Sequence, residues 1–258
     1  MPSYSEFADG MADLQTFNAS AFIGDATCHQ RLCNLILALA ATHNDLHDCD
    51  LAMAFLKPQA PSGEVRRTIH WAKHLGICQH VVRHYHAINF EVLRLIRENA
   101  ALLDDAFLSN VIKQLPKGAR ASWAAIVSVA TGGRDKSDVG RYLQMVRDKV
   151  GAHYDAARIG AGYRLKFSDE ATEQPLISRG TESLKTRFYF ADGAIEGAIF
   201  MHEDLTLVQD SMLGKTEVFG QINESIYWLV VNFILKRAGS FRNFVEASDA
   251  QPPKPPRC

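Results

Sequence analysis

Three stretches of the 258-residue chain hold side chains able to do chemistry. In VRDKVGAHYD, Val146–Asp155, the permanently charged guanidinium of Arg147 is followed by the carboxylate of Asp148 and then by the imidazole of His153. A fork that binds phosphate oxygens, beside a group that titrates near neutrality, suits cleavage of a phosphodiester. On an ideal helix the six residues from Arg147 to His153 turn through about 600°, which leaves the two about 120° apart. Gly151 is the residue able to end or bend a helix there and bring His153 back towards Arg147. The same residues also read as a helix-terminal Arg and a His bonded to Asp155 or to a backbone carbonyl.

The second stretch is HWAKHLGICQHVVRHYH, His70–His86. His70, His74 and Cys78 recur four apart, as do His80 and His84, a spacing that can present metal ligands on one helix face. No Glu lies within the run, so it is not an H-E-x-x-H motif. With Arg66, Arg67, Lys73 and Arg83 the same histidines make a face for a polyanion such as RNA. The third stretch, HNDLHDCD, places His43 and His47 four apart around Asn44 and Asp45. It reads as helix surface rather than as a ligand set. Phe188, Tyr189 and Phe190 follow Arg187 and are read as a core or interface anchor ahead of a platform for bases. Gly132-Gly133 is a turn without the Lys-Ser/Thr of a phosphate loop, and no nucleophile motif is present.

These side chains must be positioned by helices. Leu32, Leu35, Ile36, Leu39 and Leu46 give Ala26–Leu56 a helical period. Ser62, at the end of the Pro-rich turn KPQAPSG, is the expected cap of a second helix, Gly63–Leu103, with a break or bend near Gly76. Further helices are expected at Asp104–Gln114, Ala119–Val129, Lys136–Val150 and Val218–Ala238. The last is apolar enough to be central to a bundle or to cover a dimer interface. Tyr163–Phe167 and Arg187–Phe190 have the alternation of a short β-hairpin. The fold class is therefore all-α, a multi-helix bundle with a small irregular or hairpin insert near 161–200. The organisation expected is an N-terminal arm (1–25), one helical domain (26–245, its core about 26–160) and a disordered Pro-rich tail (246–258).

Hydrophobic residues make up 47% and charged residues 22% of the chain, which excludes a largely disordered protein. The net charge of −1 hides an uneven spread. Residues 1–63 hold two Lys/Arg against seven Asp/Glu, whereas residues 64–149 hold fourteen against eight, so the middle is basic. No apolar run suits a membrane span and no signal peptide is recognised, which makes the cytoplasm the expected location. Five cysteines without a CxxC pair read as reduced thiols.

Arg147-Asp148, four residues and His153 resemble the R-x(4–6)-H motif, with Asn, Asp or His after the Arg, of the HEPN superfamily of helical domains. The string is also similar to an R-[ND]-K-x-x-x-H-Y-D segment of bacterial proteins of unassigned function, some with the same upstream NDL. The first resemblance implies a small helical bundle around about 26–160. It also implies metal-independent cleavage of single-stranded RNA in a defence or toxin setting, with Arg147 and His153 catalytic and Asp148 beside them. Asn44, Asp45, Tyr154 and Asp155 would be supporting residues. It implies a homodimer in which two motifs face each other, and leaves room for a regulatory protein partner. No cofactor and no metal are expected. The alternatives are a non-catalytic helical interaction or scaffold protein, and a metal-binding helical protein using His70–His86.

Overall fold

Apolar residues at helical spacing, interrupted by Pro and Gly turns, dictate an all-α chain, and the computed structural model has that architecture. It describes residues 15–23, 27–61, 68–132, 138–148, 155–167, 177, 188–200 and 217–243. Among the described residues are eight α-helices: α1 (Thr27–Leu56), α2 (Ile69–Glu98), α3 (Ala106–Lys113), α4 (Lys117–Thr131), α5 (Asp138–Val146), α6 (Ala156–Phe167), α7 (Tyr189–Phe200) and α8 (Glu217–Ala238). Strands β1 (Gln15–Thr16) and β2 (Arg242–Asn243) form a two-residue antiparallel ladder that pairs Gln15 with Asn243.

The thirty-residue helices α1 and α2, each about 45 Å long, pack along each other, with α4, α5 and α8 against them. Leu32, Leu35, Ile36, Leu39 and Leu46 of α1 are buried, as their spacing predicts. They join Val92 and Ile96 of α2, Trp123 and Ile126 of α4, and Ile222, Leu229 and Phe233 of α8 in one core. Inside it, the buried Ser225 hydroxyl donates to the Ala119 carbonyl oxygen at 3.3 Å and ties α8 to α4.

Two expectations for α2 are corrected. The helix starts at Ile69, capped by the Thr68 side chain accepting from the Trp71 amide, six residues beyond the predicted start; Ser62 lies outside the described residues. Gly76 does not break it. That glycine is buried within one continuous helix, where a missing side chain permits close packing. Asp105 caps α3 by accepting from the Phe107 and Leu108 amides, a signal visible in the sequence.

Within the expected N-terminal arm, Ala19–Phe22 forms a 3-10 turn that buries Ala21 and stacks Phe22 on Phe233, ring centroids 5.4 Å apart. In the expected 161–200 insert the two segments read as hairpin strands are corrected, and 168–176 and 178–187 between them lie outside the described residues. Tyr163–Phe167 and Tyr189–Phe190 are helical, and α6 and α7 lie antiparallel against each other. The strand-like alternation of Tyr163–Phe167 marks no buried face, since Tyr163, Arg164 and Leu165 are all exposed; the two helices meet instead through glycine. A Cβ on Gly162 would lie 2.2 Å from the Ala194 carbonyl oxygen, and one on Gly197 would lie 2.2 Å from that of Gly162. Arg158 completes the pair, donating through Nε and Nη2 to the Ala198 carbonyl oxygen near the end of α7.

Candidate functional site

Arg147 stands just beyond α5, where the backbone widens into a π turn that includes Asp148. Such turns re-aim side chains and recur at functional sites. Its guanidinium is held from two sides. Nη1 donates to Asp148 Oδ1 at 2.8 Å, and Nε faces Glu91 Oε1 of α2 at 3.5 Å. Its central carbon lies 5.6 Å from the centre of the Phe90 ring, a cation–π contact. Nη2 has no partner among the described residues, and the side chain is 33% exposed. Gln144 donates to Asp148 Oδ2, and Arg94 holds Glu91 at 2.6 Å while also facing Glu98 at 3.3 Å. An ion chain thus runs Glu98–Arg94–Glu91–Arg147–Asp148.

Phe90, Glu91 and Arg94 were not singled out in the sequence, although Glu91 does carry a signal there. It is the first acid after 22 residues of α2, Ile69–Phe90, that contain none. His153 and Tyr154 lie outside the described residues, as do Arg66 and Arg67. Asp155 accepts from the Arg158 amide at 2.8 Å and serves as the cap of α6. Asn44 and Asp45 are exposed on α1 and are not partners of Arg147.

Above the Arg147 corner, α2 faces α5 with polar residues. His86 is buried with its ring edge-on to Tyr142 at 5.3 Å, and burial holds its pKa down at about 4, so it is neutral in the folded protein. Asn89 is fully buried and donates to the Tyr85 carbonyl oxygen. Burial, with Asp50 adding a smaller push, raises the Tyr85 phenol to about 12. Arg83 is 8% exposed, which removes it from any outward polyanion face; Lys73 remains exposed.

Within the described residues the His70–His86 run brings together one His–Cys pair and no larger ligand set. His74 Nε2 lies 3.6 Å from Cys78 Sγ, but His70, His80 and His84 project from the helix surface. Among the described residues no three His, Cys, Asp or Glu side chains converge as ligands. Burial raises the Cys78 thiol, the opposite of what a thiolate ligand or nucleophile needs. Cys49 is raised too, by burial and then by Asp50, Asp45 and Asp48, which marks HNDLHDCD as acidic helix surface.

No family model, no curated protein and no solved structure matches the chain. Among the described residues, no helix is long and apolar enough to cross a membrane.

Proposed function

We propose that this chain is a HEPN-like protein and a metal-independent endoribonuclease acting on single-stranded RNA, as a cytoplasmic homodimer. Arg147 binds the phosphate and His153 moves the proton. The observation that carries this reading is the state of Arg147. Glu91 and Asp148 hold Nε and Nη1 from two sides, Phe90 supports the face of the fork, and Nη2 between them has no partner among the described residues, at a turn leading into the segment that ends in His153. A guanidinium positioned in advance loses little freedom on meeting a phosphate and stabilises charge growing on its non-bridging oxygens. In the step itself the ribose 2′-oxygen bonds to phosphorus and its proton passes to His153. The bond to the 5′-oxygen breaks, and that oxygen takes a proton from an imidazolium or from water. The product is a 2′,3′-cyclic phosphate.

The test is cleavage of a labelled single-stranded RNA pool in EDTA by the full chain. Cyclic-phosphate ends are expected, with a loss of about 10²–10⁴-fold in His153→Ala and a comparable loss in Arg147→Ala. Absence of cleavage by the parent protein, or equal cleavage by His153→Ala, overturns the reading.

One observation favours a second reading, that of a non-catalytic interaction protein. Glu91, Glu98 and Asp148 outnumber Arg147 and Arg94, so the corner is locally acidic and Arg147 also works as a strut between α2 and the end of α5. No cleavage by the parent, together with a lowered melting temperature for Arg147→Ala, would move the assignment there.

A further inference from the structure

The acid-free part of α2 points outward with a definite geometry. At 100° per residue His70, Lys73, His80, His84 and Glu91 fall within an arc of about 80°. The four basic residues are exposed, and Glu91 holds Arg147. The stripe therefore runs from the start of α2 to the Arg147 corner, about 32 Å at 1.5 Å per residue. At its far end, Tyr189 Oη donates to the Ile69 carbonyl oxygen and brings the start of α7 against the start of α2. Beside that contact are aromatic rings that the core does not absorb. Phe188 is 53% exposed and Tyr163 37%, each packed edge-on to Phe190 at 5.7 and 6.2 Å. The exposed Arg164 follows Tyr163 on α6, a helix that contains no Asp or Glu at all.

We infer that single-stranded RNA lies along this stripe, its phosphates following Lys73, the histidines and Arg164 while unpaired bases stack on Tyr163 and Phe188 at the end remote from Arg147. Charge selects a polyanion, since neither Ile69–Phe90 nor α6 holds an acid. The exposed rings select unpaired bases, because in a duplex those faces are already stacked. The inference gives the proposed nuclease a binding track, and so rests on that reading for its role but not for its measurement.

The measurement is fluorescence anisotropy of a labelled single-stranded RNA of about 15 nucleotides with the full-length His153→Ala protein in EDTA at low salt, so that no cleavage is involved. Lys73→Glu with Arg164→Glu is expected to weaken binding about tenfold or more and to flatten its salt dependence. Tyr163→Ala with Phe188→Ala is expected to cost roughly tenfold or more while leaving the salt slope unchanged. Lys113→Glu, a charge reversal on the surface of α3, should leave binding as it was. All these side chains are exposed, and unaltered circular dichroism shows the variants folded. Unchanged affinity in both pairs, equal affinity for a duplex of the same sequence, or a shift in oligomeric state in place of RNA binding would overturn the inference. If the parent cleaves RNA and the track variants bind and cleave like it, the track fails while the nuclease stands. If the variants lose binding and no protein cleaves, the track stands and the nuclease reading falls.

Discussion

The bundle around α1, α2, α4 and α8 and the pair α6–α7 solve the same packing problem in opposite ways. In the bundle, Leu39, Ile126, Leu229 and Phe233 meet as large side chains that hold the helix backbones apart. In the pair, Gly162 and Gly197 let one backbone touch the other, with Arg158 closing one end and Lys166–Glu196, 3.1 Å apart, lying alongside. A core of large side chains can repack by changing rotamers, at a cost set by the volume lost. A contact between backbones has no rotamer to change. The pair should therefore be intolerant of even one added methyl group, and the bundle should not.

The sharpest way to break that contrast is Gly162→Ala. The new methyl group would stand 2.2 Å from the Ala194 oxygen and 2.3 Å from the Ala198 nitrogen, both backbone atoms. We expect the α6–α7 pair to separate, at a cost above about 4 kcal/mol for that unit, seen as fast amide exchange in α6 and α7 with α1 and α8 still protected. Native-like exchange in α6 would show that the two backbones can part cheaply.

A second, smaller effect belongs to the bundle alone. His86 is neutral in the fold with a pKa of about 4, whereas in the unfolded chain it titrates near 6.5. The unfolded state therefore binds the extra proton, so this contribution is complete above about pH 6.5 and is lost as the pH falls towards 4, up to roughly 3 kcal/mol. Denaturant midpoints between those limits should fall for the parent protein and fall less for His86→Phe. Parallel curves would show that His86 is not the group responsible.

The smallest effect has the opposite sign. A Cβ on Gly118 in α4 meets nothing within 4 Å, so Gly118→Ala should stabilise by up to about 1 kcal/mol through the unfolded chain's lost freedom. A lowered melting temperature would place an unseen neighbour there.

What the sequence made legible divides along the same line. Leu32 to Leu46 in α1 and the apolar run of α8 act through local period, and the structure places them as read; the Asp105 cap acts through equally local hydrogen bonds but was not singled out. The meaning of Gly162 depended on Gly197, 35 residues away, and no period joins them. The same holds for the Arg147 corner. Its charge and the Asp beside it were visible in the sequence, but Glu91 and Phe90 reach it across 56 and 57 residues through the packing of α5 on α2. Arg83 shows the reverse error. Its type suggested an outward charge, and helix register turned it inward.

The ladder between β1 and β2 has a mechanical consequence. Phe17 meets Phe241 there, and Arg237 donates to the carbonyl oxygens of Ser20 and Ile23, so both ends of the described chain are fastened at one pole. A pulling force applied through those ends would act first on a two-residue clasp and one aromatic contact, not along the helices. The clasp would unzip at low force as a separate event, and only then would tension reach Phe22 and Phe233 and begin to draw on the bundle.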